Sequence, residues 1–193
     1  PIFDARLRVP RVDFGPTARR EAAYMCEILE LGAGRVMLEP RTLAKILDAL
    51  DIASDELVLD VGAGYGYSAA VVARMAEAVV ALEEDEAMAA DAQDALMEAG
   101  ADNVVPHIGA LADGAPDHGP YDVIVIQGGV GDVPQALLDQ LKDGGRIAAL
   151  FVEGALGEVR IGYKQGQKIS WRRAFNAGAP VMHGFERHNA FQL

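Results

Sequence analysis

Eleven residues, Leu57-Val58-Leu59-Asp60-Val61-Gly62-Ala63-Gly64-Tyr65-Gly66-Tyr67, limit the folds open to this chain more than any other stretch. A short apolar run, broken by Asp60, passes directly into three glycines, and alanine-rich sequence follows. That order describes a buried parallel strand turning sharply into a helix, with a ligand lying across the turn. Glycine suits such a turn because, without a Cβ, the backbone takes positive φ and approaches a ligand closely. The spacing is G-x-G-x-G, whereas a dinucleotide fingerprint would place its third glycine where Tyr67 stands. Taken alone, the turn also reads as a purely structural one, so its meaning depends on the rest of the chain.

Strand and helix alternate from this point. Leu57–Val61 reads as a strand, 67–78 as an alanine-rich helix, 79–83 as a strand, and 85–99 as a helix. Acids fill the first turn of that second helix, where the macrodipole favours them, and Gly100 ends it. Val104–Ile108 is a third strand, 110–120 a Gly/Pro/Asp-rich loop, 121–126 a strand, 134–141 a helix and 146–152 a strand. Repeated strand–helix units with apolar strands imply a parallel sheet covered on both faces. Residues 157–164 and 168–175 instead alternate polar and apolar around Gln165-Gly166-Gln167, the pattern of a hairpin. The fold class is therefore α/β, a doubly wound and mostly parallel sheet ending in antiparallel strands.

Ahead of the glycine turn, 1–14 reads as a short helix ending near Val9-Pro10, and 18–27 as helical. Leu31-Gly32-Ala33-Gly34 reads as a loop and 36–38 as a short extended piece. Residues 41–50 carry Leu43, Ile46, Leu47 and Leu50 at amphipathic-helix spacing, with Pro40 at the entrance. The expected organisation is one domain: 1–50 a helical cap segment, 51–153 a ligand-binding core, and 154–193 the hairpin and tail.

Composition excludes some classes. No apolar run approaches 18 residues, so no membrane span is expected, and no signal-peptide pattern leads the chain. The single cysteine, Cys26, allows no internal disulfide and fits a cytoplasmic location; it reads as a small, semi-buried apolar residue. The net charge of −12 is unevenly spread: residues 46–141 hold nineteen acids and one base, Arg74, while each flank holds eight bases. So acidic a middle argues against a nucleic-acid surface, and Trp171-Arg172-Arg173 is too small for a basic groove with stacking platforms. Arg19, Arg20, Arg172 and Arg173 read as solvated faces or as contacts for an anionic substrate. His107, His118, His183 and His188 are scattered without metal-ligand spacing, and no metal is expected.

Two acids bear on the ligand. Glu83 closes the second strand, 21 positions after Gly62, where an acid in doubly wound folds accepts hydrogen bonds from ribose hydroxyls. Glu84, Asp85 and Glu86 follow, so the sequence does not single one out. Asp60 is an acid within an apolar strand. Buried charge is costly unless paired, so Asp60 is expected to orient the loop amides or to meet a cation. A dinucleotide needs its pyrophosphate on a helix N-terminus. Acids beside the loop, the G-x-G-x-G spacing and the antiparallel end of the sheet favour S-adenosylmethionine instead, and the step Lys142-Asp143-Gly144-Gly145 between helix and strand resembles the LKxGG step common in class I methyltransferases.

With those residues in view, the chain resembles the protein-L-isoaspartate O-methyltransferase family over nearly its whole length. Residues 29–40, LELGAGRVMLEP, are similar to that family's LPIGxGQTISQP segment, with Ala23-Tyr24 ahead of it. Residues 57–67 resemble its glycine loop and 79–83 its ribose-binding strand end. Asp102-Asn103-Val104 with Gly109 resembles its DNV…GDG stretch. Residues 121–126 and 136–147 resemble PYDxIIV…ALLxQLKxGGR. The resemblance implies a Rossmann-like class I methyltransferase, with one further helix ahead of Pro1. It places Asp60, Gly62, Ala63, Gly64, Tyr65, Glu83 and Glu84 around S-adenosylmethionine, S-adenosylhomocysteine being the product. Gly109, Ala110 and Leu111 fall near the adenine, and Gln127 and Gly128 at the mouth of the fourth strand. It also implies the reaction, methylation of the α-carboxyl of isoaspartyl residues in damaged proteins or peptides. The ester then collapses to a succinimide that reopens as aspartate. The acceptor carboxylate, with a pKa of about 4, is already ionised at neutral pH. No general base is needed, and catalysis rests on positioning.

The chain departs from the family on the acceptor side. Val36, Met37 and Leu38 stand where the family has hydroxyl-bearing TIS, and Arg35 and Glu39 replace glutamines. Ala110 replaces the acid of GDG, and Cys26 falls where an acid is expected. Arg35 reads as a surface arginine or as a bidentate holder of an acceptor carboxylate. The catalytic residues are thus unassigned, with Arg35, Leu38 and Glu39 the acceptor-side candidates. Alternatives are a methyltransferase with another acceptor, a cofactor-binding homologue without repair activity and, last, a nicotinamide oxidoreductase. Nothing in the sequence sets an oligomeric state.

Overall fold

A computed structural model describes residues 8–15, 27–32 and 34–187, together with Ile2 and Ala5. The expected helix over 18–27, apart from its last residue, and Cys26, Arg19, Arg20 and His188 lie outside the described residues. So do residues 1, 3, 4, 6 and 7 of the expected helix over 1–14, whose described part ends in a 3-10 turn, Arg11–Asp13, just after Pro10.

Among the described residues, seven strands form one sheet and two more form a small hairpin. In chain order these are β1 (Leu29–Gly32) and β2 (Arg35–Met37), the hairpin; then β3 (Leu57–Val61), β4 (Ala78–Glu83), β5 (Val104–Ile108), β6 (Tyr121–Val130), β7 (Leu141–Glu153), β8 (Leu156–Gln165) and β9 (Lys168–Asn176). Among the described residues from Leu29 onward the α-helices are α1 (Pro40–Leu50), α2 (Tyr67–Ala73), α3 (Glu86–Glu98) and α4 (Gln135–Asp139). The order across the sheet is β5-β4-β3-β6-β7-β8-β9. Pairs from β5 to β7 are parallel; β7–β8 and β8–β9 are antiparallel. The chain therefore leaves β3 toward one edge and returns to β6 on its other side, which makes β3/β6 the topological switch point where such sheets hold ligands.

Alternation along the central strands feeds two cores. Val58, Val79, Val123, Val125, Ala148 and Leu150 pack with α1, α2 and part of α3 on one face. Leu59, Val61, Leu82, Ile124 and Ile126 pack on the other face with Leu111, Leu137, Met182 and Phe185. Burying one such aliphatic side chain stabilises by roughly 1.5–3 kcal/mol, so the two cores dominate the stability of the sheet. Arg146 ties the sheet to α1: it donates to the Leu50 and Asp51 carbonyls and forms a two-pronged pair with Glu56 at 2.7 and 2.9 Å. That pair holds the Glu56 carboxyl below its ordinary value.

Four expectations need correction. Leu31 and Gly32 belong to β1 rather than to a loop; Leu29 pairs with Met37 and Gly32 with Arg35. The helix expected over 67–78 stops at Ala73, because Asn103 Nδ2 takes the carbonyls of Ala73, Ala76 and Glu77 and turns the chain into β4. The helix expected over 134–141 is the short α4; Leu141 already pairs with Tyr121, and the Lys142–Gly145 step is a bulged start of β7. Finally, β6 runs to Val130, four residues past the expected end, as its last part pairs with Leu150 and Phe151.

Candidate functional site

At the switch point β3 ends beside β6, which itself runs on to Val130, and Val61 lies opposite Ile126. Asp60 is fully buried one residue earlier and is held by two neutral donors. Ser68 Oγ of α2 donates at 2.5 Å, and Gln127 Nε2, from across the switch point, at 2.7 Å. Burial pushes the Asp60 carboxyl up from 3.8 to about 6, against the lowering pull of those two hydrogen bonds and of Arg35. Asp60 therefore does not orient the loop amides, one of the two roles its place in the sequence suggested beside meeting a cation. It bridges β3, α2 and β6 beneath the loop.

Glu83 orients the loop instead. Its Oε2 accepts the Gly64 amide at 2.8 Å, and its Oε1 accepts the amides of Glu84 and Asp85 at 2.9 and 3.2 Å. The Gly62 and Ala63 amides both reach the Leu82 carbonyl, and the Gly66 amide reaches Ala63. Gly62 (φ +80°) and Gly64 (φ +58°) hold left-handed backbone that lets these bonds form.

The β1–β2 hairpin lies over this loop. A Cβ on Gly62 would overlap the Arg35 guanidinium, and one on Gly64 would stand 2.7 Å from Leu31 Cδ1. Arg35 is only 2% exposed, so it is neither a surface arginine nor solvated. Its Nη2 lies 3.4 Å from Glu83 Oε2, within ion-pair range, yet Nε, Nη1 and Nη2 are buried without a hydrogen-bond partner. The two observations agree once geometry is considered: the charges are close, but no N–H is aligned on the oxygen. The 3-10 turn closes the outer side. Arg11 Nε donates to Met37 Sδ at 2.9 Å, and Phe14 packs on Tyr67 with ring centroids 5.9 Å apart.

What remains open is a cavity of about 10 Å³, lined by Leu31, Val36, Met37, Leu38, Gly62 and Gln127 among others. It has room for about one water. The structure thus gathers Arg35, Leu38, Asp60, Gly62, Ala63, Gly64, Tyr65, Glu83 and Gln127 at one point. Glu84 joins only through its amide on Glu83, and Gly109 through its amide on the Glu83 carbonyl at 3.2 Å. Ala110 precedes the 3-10 turn Leu111–Asp113, and Leu111 is buried in the opposite core. Gly128 backs onto Met182, whose Cγ a Cβ would meet at 2.5 Å. Glu39 accepts from Thr42 Oγ1 at the start of α1. Sequence reading missed Ser68 and Leu31. Ser68 is the second residue of α2, at the edge of alanine-rich sequence with no motif to mark it, and Leu31 was hidden by the glycines around it.

Of the bases read as solvated or substrate-facing, Arg173 pairs with Glu158 at 2.7 Å and Arg172 lies over the Tyr163 ring, both far along the antiparallel end of the sheet. His107 and His118 stack edge to face, ring centroids 5.2 Å apart.

The family model for "Protein-L-isoaspartate(D-aspartate) O-methyltransferase (PCMT)" matches residues 1–169. The chain belongs to this family. A protein-L-isoaspartate O-methyltransferase 2 of Syntrophobacter fumaroxidans is 39% identical over 146 residues, covering 76% of this chain and 59% of that protein. A protein-L-isoaspartate O-methyltransferase of Roseiflexus castenholzii is 38% identical over 146 residues, covering 76% and 67%. The chain therefore spans about three fifths to two thirds of the length of these relatives. Among solved structures, a protein-L-isoaspartate O-methyltransferase superposes with a TM-score of 0.83 at 24% identity, over 95% of this chain and 61% of that one. A Plasmodium falciparum protein described as a putative family member in complex with S-adenosyl-L-homocysteine gives 0.79 at 18% identity, over 94% and 89%. These likenesses establish the fold, a Rossmann-like class I methyltransferase sheet with parallel and antiparallel parts, as the family resemblance implies.

Proposed function

We propose that the chain is an S-adenosylmethionine-dependent carboxyl O-methyltransferase acting on isoaspartyl residues of damaged proteins or peptides. The observation that carries this reading is Glu83: a buried carboxylate at the end of β4, facing the glycine loop beside the switch point, in a chain of this family. Glu83 would accept the ribose hydroxyls, and Gly62 and Gly64 would let the ligand lie against the backbone. The amides of Gly62, Ala63, Gly64 and Gly66 are already spent on protein acceptors. A pyrophosphate needs free amides at such a turn, so this geometry favours a ligand without one and counts against a nicotinamide dinucleotide.

The Glu83 carboxylate and the bare glycine backbone fit an adenosyl ligand, but a cavity of about 10 Å³ does not admit one. Arg35 and Leu31 must withdraw from Gly62 and Gly64 for it to enter. When bound, S-adenosylmethionine supplies the methyl group. The protein's own part is to hold the acceptor carboxylate in line and exclude water, which the apolar wall of Val36, Met37 and Leu38 favours. That wall, without hydroxyls, is also the observation behind a second reading, a methyltransferase for another acceptor or a cofactor-binding homologue without repair activity.

The deciding measurement is transfer of labelled methyl to an isoaspartyl peptide and to its aspartyl counterpart. Base-labile methyl ester on the isoaspartyl peptide alone supports repair chemistry. Tight binding of S-adenosylhomocysteine with ester no higher than background overturns it and leaves the second reading.

A further inference from the structure

Arg35 is a cation sealed into the protein with nothing to donate to. Its side chain is 2% exposed, and Nε, Nη1 and Nη2 all lack acceptors. A guanidinium presents five N–H groups in a rigid fork, and its donors go unmet here because none of them is aligned on a nearby acceptor. Glu83, 3.4 Å away, accepts three backbone amides. Asp60 accepts from Ser68 and Gln127. The remaining wall is aliphatic or aromatic: Leu31, Val36, Met37, Leu38, Leu43 and the two tyrosines. The protein itself thus provides charge balance for Arg35 but no partner of matching shape.

The group that matches a planar fork of donors is a carboxylate, bound through two parallel hydrogen bonds. A sulfonium or an ammonium would be repelled, and a lone hydroxyl would leave most of the fork unmet. We infer that Arg35 is a carboxylate-binding residue of the pocket above Gly62, set to receive a carboxylate carried in by a ligand. This deepens the proposed function and rests on it. Two carboxylates take part in that reaction, the α-carboxylate of the amino-acid half of the cofactor and that of the acceptor. On ligand entry the guanidinium lifts from Gly62 and exchanges its unaligned contact with Glu83 for the incoming carboxylate, which leaves Glu83 free for hydroxyl donors. The family resemblance places a glutamine at this position, which offers a neutral amide in place of the charged fork.

The experiment is calorimetric titration of the wild type, Arg35→Gln and Arg35→Lys with S-adenosylhomocysteine and with 5′-methylthioadenosine. The latter has the same nucleoside and thioether but no amino-acid carboxylate. If the carboxylate is the cofactor's, Arg35→Gln weakens S-adenosylhomocysteine on the order of ten- to a hundredfold, leaves methylthioadenosine within about twofold, and Arg35→Lys falls between. If it is the acceptor's, both ligands bind unchanged. The KM for an isoaspartyl peptide then rises by a similar factor at saturating S-adenosylmethionine, with kcat unmoved and partial rescue by Arg35→Lys. Unchanged affinities with unchanged KM, tighter S-adenosylhomocysteine binding by Arg35→Gln, or equal weakening of both ligands would each overturn the assignment. A wild type that binds neither ligand overturns the cofactor reading along with it, so the two failures are told apart by which protein fails. Thermal melts of the ligand-free variants confirm that folded protein is compared.

Discussion

Glu83 Oε2 accepts the Gly64 amide at 2.8 Å while Arg35 Nη2 stands 3.4 Å from the same oxygen. One carboxylate thus shapes the glycine loop and balances the charge of the hairpin that covers it. Replacing Glu83 with Gln removes that charge and leaves Arg35 uncompensated in an apolar setting. Unpairing a buried ion pair costs roughly 3–5 kcal/mol. Denaturant unfolding of Glu83→Gln should show a loss of that order, and Arg35→Met in the same chain should recover part of it. Full additivity of the two substitutions would show that the pair is not coupled.

Gly62→Ala tests the close approach directly. The methyl group meets the guanidinium and the residue keeps φ +80°, a left-handed conformation that costs a non-glycine residue roughly 1–3 kcal/mol. The backbone part of this cost persists when Arg35 is replaced by Ala, while the steric part does not. A double-mutant cycle should therefore show a coupling of about 0.5 kcal/mol or more. A cycle that closes at zero would place the guanidinium elsewhere.

Asp60 sets a pH dependence whose sign follows from its raised pKa. The folded protein binds the Asp60 proton more tightly than the unfolded chain does. The favourable contribution is complete below about pH 4 and is lost as pH rises through about 6. A shift from 3.8 to about 6 amounts to roughly 3 kcal/mol. Asp60→Asn cannot titrate, whereas Arg35 and Glu83 face the site in both proteins. The stability of the wild type relative to Asp60→Asn should fall by that order between pH 4 and pH 7. Unfolding curves at four pH values measure it, and a pH-independent difference would refute it.

The apolar wall predicts a gain. Val36→Thr with Leu38→Ser restores hydroxyls at the positions where the family resemblance places them. Both residues are buried and line the cavity, so each unmatched hydroxyl should cost about 1–3 kcal/mol of stability. If the isoaspartyl acceptor docks there, kcat/KM for an isoaspartyl peptide should rise at least severalfold despite that loss. An unchanged or lower value, measured on folded protein, would place the acceptor elsewhere.

The central sheet was legible because its strands are apolar runs between turn signals, and β3, β5 and the closing hairpin stand within a residue or two of where alternation puts them. The elements that escaped are decided by single long-range bonds. Asn103, thirty residues downstream, ends α2, and pairing with Tyr121 converts the Lys142–Gly145 step into strand. At the site, residue types identified Asp60 and Glu83 but not the division of labour between them. That depends on which carboxylate faces the Gly64 amide, a matter of strand register rather than of composition. The burial of Arg35 was invisible for a related reason: an arginine is read as exposed unless the fold puts acids within its reach. Here the acids lie 25 and 48 positions further on.

The hairpin gives the molecule an internal competitor for its own pocket. Arg35 and Leu31 rest on the two glycines an adenosyl ligand would cover, and they are tethered there at a high effective concentration. The open form is then a minority state of the free protein, and the observed affinity for any ligand is the intrinsic one scaled down by the open fraction. Substitutions in the hairpin that never touch a bound ligand would therefore still retune its affinity, tightening it where they loosen the cover and weakening it where they seal it.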